Sequence, residues 1–232
     1  MKPTPFWNYS DVAILLGAVP PSFLVAAAVT LLVRLLYPHA ALSAPEALLS
    51  QGIAYGGIFS AMVWIFRQRY GLPFWESISW AGERRAVARY MFLGPMLAIA
   101  VMVAGVFIET PNIDMPMRNL LNTPLNIALM GIFAITAGPL CEELLFRGFL
   151  QPLLSKTFGA VIGIVSVASL FGLLHLPEYG YSWRHGVLIG LAGIGFGWAR
   201  FRTGSTAAST MMHATYNLTV FTAFLVGQGD KW

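Results

Sequence analysis

Long apolar runs separated by short polar connections dominate the chain. A helix needs about 20 residues to cross a bilayer core, and seven segments approach that: 12–36, 46–66, 88–109, 122–151, 158–176, 184–200 and 204–227. The sixth is the weakest, because only 14 residues between His185 and Arg200 are uncharged. Lipid satisfies no backbone polar group, so each segment is expected to be helical. Pro20 and Pro21 should bend the first. Gly186, Gly190, Gly193 and Gly197 place small residues along the sixth, which favours close helix packing. Residues 12–33 carry no charge and are about twice as long as a signal-peptide core, so they read as a retained helix. The expectation is an all-α integral membrane protein: a bundle of about seven to eight transmembrane helices with an intramembrane polar cavity. One membrane domain is expected over 1–232, with its chemistry in about 122–228.

Composition strengthens this picture. The chain is 57% hydrophobic and 10% charged, against about 25% charged in soluble domains. Its mean hydropathy is +0.68. Such a chain cannot cover a globule with polar surface. The net charge of +4 forms no compact phosphate footprint, which argues against nucleic acid. The basic residues instead sort by side. Lys2, Arg67, Arg69, Arg84, Arg85, Arg89, Lys156, Arg200 and Arg202 fall with the N-terminus; Arg34, Arg118, Arg184 and Lys231 fall opposite. That asymmetry puts the N-terminus in the cytoplasm. Short connections favour a bacterial or archaeal plasma membrane. The connection RQRYGLPFWESISWAGERRAVAR mixes arginine with aromatic rings and reads as a segment lying on anionic lipid headgroups. Cys141 is the single cysteine, so it forms no internal disulfide.

Against this background, CEELLFRGFL at 141–150 is costly. A charge at mid-bilayer costs about 2.5–3.5 kcal/mol on insertion scales, so such groups are expected to face the bundle interior with partners. Glu143 and Arg147 are four apart and share a helix face, in the favourable order. They are assigned to each other. Glu142 points about 100° away, and its own helix offers no basic residue one turn distant. It is the candidate general base. His175 follows Phe171 by four in the fifth segment. His213 and Asn217 are four apart in the seventh. One carboxylate, two imidazoles and a carboxamide from three segments can activate water and stabilise an oxyanion. Alternatively, Glu142, His175 and His213 can hold a divalent metal such as zinc. His39 and His185 lie in or beside connections and receive no role. A buried proton relay in a membrane transporter is a rival reading of the same charges, as is a non-proteolytic immunity or binding protein. No serine elbow, zincin motif or phosphate loop is present.

Depth poses a difficulty. Glu142 lies about nine residues from residue 151, roughly 13 Å at 1.5 Å per residue. His175 lies close to twenty residues from Lys156 and should sit deeper by about 10–15 Å. A shared site therefore requires the fifth segment to start outside the hydrocarbon, to tilt or to break, or the boundaries to move.

Glu142-Glu143-x-x-x-Arg147, Phe171-x-x-x-His175 and His213-x-x-x-Asn217, in this order, resemble the CPBP family of intramembrane proteases, the CAAX prenyl endopeptidase and bacteriocin-processing group also called Abi. The resemblance covers about 124–220. It implies a helical membrane bundle whose wet cavity opens to the cytoplasm. It also implies hydrolysis of a peptide bond in a membrane-associated or lipidated, CAAX-like substrate. Residue by residue, it implies that Glu142 and His175 activate water. His213 and Asn217 would stabilise the oxyanion, and Glu143, Arg147 and Phe171 would support the site. Metal-dependent and metal-free schemes both fit these residues.

Overall fold

The computed structural model describes residues 5–38, 43–111 and 120–227. Lys2, His39, Arg118 and Lys231, all weighed above, lie outside the described residues. Among the described residues the chain is helical, without strands. Four helical stretches are long and apolar enough to cross a membrane: Tyr9–Leu36, Ala44–Arg69, Arg84–Phe107 and Pro124–Phe158. The chain is a multi-pass helical membrane protein. It divides into two compact units, one of Met1–Ser77 with Leu120–Met130, the other of Ile78–Asn119 with Gly131–Trp232.

In the first unit, α1 (Tyr9–Leu36) packs along α2 (Ser43–Trp64), which ends in a π-turn at Ile65–Arg69. A short α3 (Phe74–Ser77) follows. Helix α1 runs on through Pro20 and Pro21. Asn8 and Asp11 form a capping box at its start. The fully buried Asp11 also accepts a 2.5 Å hydrogen bond from the Tyr70 hydroxyl and faces Arg69 Nε at 3.3 Å. This carboxylate ties the start of α1 to the end of α2.

The second unit holds α4 (Arg84–Phe107), the end of α5 (Pro124–Ile135) and α6 (Ala137–Glu143). A π-helical stretch, Leu144–Leu150, leads into α7 (Gln151–Phe158), followed by α8 (Ala160–Leu174), α9 (Trp183–Thr203) and α10 (Thr206–Gly227). Helix α10 packs along α4, and α8 along both α7 and α9. Val101, Phe146, Val167, Phe171, Phe196 and Met212 form the buried apolar core between them.

The fourth predicted segment departs from expectation in two ways. It breaks at Thr136, whose φ of −121° and ψ of −79° are not helical. Pro139 has no N–H to offer Ile135, which weakens the helix there. It also extends past residue 151 to Phe158. The turn that follows is Gly159, at φ +87°, a region open to glycine and strained for other residues.

This turn removes the depth difficulty. Glu142 lies 17 residues before Gly159 and His175 lies 16 after it. Helices paired antiparallel about one turn bring such positions to the same level. The predicted mismatch came from ending the fourth helix seven residues early, at 151 in place of Phe158.

Helices α8 and α9 approach so closely that a Cβ on Gly172 would overlap the Gly186 carbonyl oxygen and lie 3.1 Å from the Gly190 nitrogen. In an open helix, glycine to alanine stabilises by about 1 kcal/mol. Gly172→Ala should instead destabilise by about 1–3 kcal/mol, measured by unfolding in detergent. A stabilised variant would contradict the close approach.

Candidate active site

The site grows from the helix that carries Glu142, Glu143 and Arg147. Arg147 Nη1 donates to Glu143 Oε1 at 2.8 Å, and both side chains are fully buried. The predicted pairing is therefore made. Arg147 Nη2 donates to the Gly193 carbonyl at 3.0 Å. The guanidinium carbon lies 4.7 Å from the Phe171 ring centre and 5.4 Å from that of Phe196, so aromatic faces enclose the charge. One turn on, Gln151 Nε2 donates to the Gly197 carbonyl at 2.9 Å. Two donors four apart on one helix thus meet two carbonyls four apart on α9. Sequence reading passed over Gln151, although its place four residues after Arg147 was visible.

The π-helical stretch begins immediately after Glu143. Such widenings appear mostly as short insertions and often at functional sites.

His213, buried on α10, faces both glutamates. Its Nδ1–H donates to Glu143 Oε1 at 3.0 Å, and its Nε2 stands 3.8 Å from Glu142 Oε2. Its ring stacks on Phe196 at 4.3 Å. A gap of 3.8 Å is too long for a direct hydrogen bond and suits a shared water. Glu142 keeps 19% of its side chain accessible, whereas Glu143 keeps none. The two adjacent carboxylates therefore differ in kind. One is sealed against arginine and histidine, the other reachable.

His175 caps α8, where Pro177 stops the helix two residues later. Its Nδ1–H donates to the Phe171 carbonyl at 2.7 Å. That carbonyl belongs to the last turn and lacks an intrahelical donor. Because a carbonyl only accepts, His175 carries its proton on Nδ1 and presents the lone pair of Nε2. The Phe171 ring touches His175 at 4.4 Å, His213 at 5.7 Å and the Arg147 guanidinium, so it packs against three of the predicted residues.

Asn217 Nδ2 donates to the Ala134 carbonyl at 2.8 Å, just before the Thr136 break. It satisfies a backbone acceptor that the interrupted helix leaves open. One hydrogen of the amide is thus spent on structure and the second is not spent on that bond.

Sequence reading also missed Glu178, in the 3₁₀ turn Leu176–Tyr179, whose N–H donates to the His175 carbonyl. The protein packed around this carboxyl pushes its pKa above the ordinary carboxylate range. The charge of Glu142 acts in the same sense, and His175 opposes both. Glu178 thus senses both predicted water-activating groups. Its only sequence signal was its place three residues after His175.

Among the described residues no three His, Cys, Asp or Glu side chains are gathered to hold a metal ion. The bond from His213 Nδ1–H to Glu143 leaves Nε2 of that ring for chemistry.

Two predictions follow from this geometry. Arg147→Met leaves Glu143 buried beside histidine alone and should cost about 3–5 kcal/mol of stability. The double variant with Glu143→Gln should recover much of that loss in the same unfolding assay. Equal stability of the single variant and wild type would refute the buried pair. For Glu178, a folded pKa above the unfolded one means the folded state holds the extra proton. Stability from this group therefore falls as pH rises from about 4.3, the unfolded carboxylate value, through the raised folded one. Glu178→Gln should flatten that fall in a melting-temperature profile against pH, and an unchanged profile would remove the effect.

Residues 124–219 match the family model described as type II CAAX prenyl endopeptidase Rce1-like. No curated protein and no solved structure matches the chain. The motif-bearing part of the chain is thus similar to that family, in keeping with its motifs.

Proposed function

From the likeness of residues 124–219 to that family, we propose that this protein is an intramembrane endopeptidase that hydrolyses a peptide bond in a prenylated or otherwise membrane-associated substrate, without a metal. The observation that carries the reading is the accessible Glu142 carboxylate, 3.8 Å from His213 Nε2, beside a sealed Glu143–Arg147 pair.

A water at this site donates one hydrogen to Glu142 and the other to the Nε2 lone pair of His175. Its oxygen lone pair is then free to attack the scissile carbonyl carbon. Glu142 takes the proton as the new C–O bond forms. Negative charge develops on the carbonyl oxygen and is met by donors. Asn217 offers the amide hydrogen that Ala134 does not use. His213, with Nδ1–H fixed on Glu143, donates from Nε2 as the imidazolium. When the C–N bond breaks, Glu142 returns its proton to the leaving amine. Oxyanion donors of this sort are typically worth 10²–10³ in rate.

The residues present make the metal-free route the simpler one, since no three-donor set is assembled. The likeness to that family and the membrane setting support the substrate class. A cytoplasmic opening remains part of this proposal and rests on the distribution of basic residues.

The test is cleavage of quenched C-terminal peptides, farnesylated and plain, by purified protein in detergent. Glu142→Gln should lower the rate by at least about 100-fold while leaving the melting temperature close to wild type. A chelator should leave the wild-type rate unchanged. Inhibition by chelator that zinc reverses would return the reaction to the metal-dependent alternative, and equal cleavage by Glu142→Gln would end the proposal.

A further inference from the structure

Helix α4 has two opposite stripes. Gly94, Ala98, Val101 and Gly105 are buried, and α10 is the helix packed most closely along α4. On the far side, Phe92, Met96, Ile99, Val103 and Val106 are exposed, by 49% to 76%. Their spacing of four and three keeps them in line. Continued towards the start of the helix, the same line passes through Arg89 and Arg85. The outer stripe is therefore cationic for its first two members and apolar for the rest.

The cationic end lies at a cavity of about 400 Å³, lined by Glu83, Arg85, Arg89, Tyr90, Arg202 and Thr203 among others. Three guanidiniums face one carboxylate there. Arg85 and Arg89 are like charges four apart, an unfavourable pair. Among the described residues, Arg85 and Arg89 take part in no ion pair or hydrogen bond, and α4 has no acidic residue in its first turn. Arg202 lies 5.5 Å from the ring centre of Trp198. Trp198 and Phe201 are themselves half exposed at the end of α9, as aromatic residues are at a membrane–water interface.

We propose that this cavity binds the phosphate of an anionic phospholipid, with an acyl chain running down the exposed stripe of α4. The guanidiniums supply forked donors for phosphate oxygens, and the anion relieves their mutual repulsion. The apolar line leading away from the pocket distinguishes a lipid from free phosphate, which would use only the first two positions. The inference is independent of the proteolytic reading, because none of these residues belongs to the Glu142 site.

The experiment adds phosphatidylglycerol, phosphatidylcholine or inorganic phosphate to the purified full chain in detergent. Bound lipid is counted by native mass spectrometry and the melting temperature is followed in parallel. Wild type should retain phosphatidylglycerol in preference to phosphatidylcholine and be stabilised by it. Arg85→Gln/Arg89→Gln should bind it about thirty-fold more weakly, the loss expected for two interfacial charges. Phe92→Ser/Met96→Ser should weaken lipid binding through the other end of the stripe. If the arginine double variant fails to fold, Arg202→Gln tests the opposite wall of the same cavity. Equal retention of the two lipids, equal stabilisation by inorganic phosphate, or unchanged binding in the arginine variants would each overturn the proposal.

Discussion

Everything at the site leans on one buried ion pair. Glu143 and Arg147 are both fully enclosed, and taking two charges out of water costs more than their mutual attraction returns unless the remaining donors are also met. The structure meets them in part: the Gly193 carbonyl takes Arg147 Nη2, the Phe171 and Phe196 faces flank the guanidinium and His213 Nδ1–H reaches Glu143 Oε1, while Arg147 Nε and Glu143 Oε2 find no hydrogen-bond partner among the described residues. Each of those partners comes from a different helix than the pair itself. The pair thus gathers α8, α9 and α10 around one point, and the cost of leaving any partner out holds the register. Glu142 inherits its place from this arrangement, since it is the residue next to a fixed neighbour.

The difference between the two adjacent glutamates is the functional consequence. A carboxylate locked between arginine and histidine is a structural anion. Its neighbour, rotated by one residue and partly accessible, has a histidine nitrogen 3.8 Å away. His213 joins the two. One ring nitrogen is spent on the structural glutamate, which leaves the other directed at the reactive one. His175 is held likewise, by a carbonyl at the end of its own helix. Both imidazoles are oriented through Nδ1 and offer Nε2 for chemistry.

Helix breaks do the remaining positioning. The interruption at Thr136 leaves a carbonyl that Asn217 takes, and Pro177 ends α8 so that His175 can fold back onto Phe171. Gly159 sets the hairpin that levels Glu142 with His175. In a bilayer, where an unsatisfied backbone group is expensive, each interruption requires a side chain to close it. The residues that close these breaks are also the residues of the site.

The sequence alone determined the helical membrane character and the Glu143–Arg147 pairing, and it singled out the candidates Glu142, His175, His213 and Asn217; of the seven apolar segments expected, four helical stretches among the described residues are long and apolar enough to cross a membrane. Those follow from local quantities: run length, helical spacing, and the scarcity of charge in apolar surroundings. Tertiary structure decided what spacing along one helix cannot carry. It showed that His213 binds first to Glu143, and that Asn217 spends a hydrogen on Ala134. Gln151 and Glu178 emerged as neighbours of the site, and the fourth helix was found to run on to Phe158. The physical reason is common to all of these. A hydrogen bond between helices depends on where two axes cross and how deep each turn lies, and both are fixed by packing, after the helices have formed.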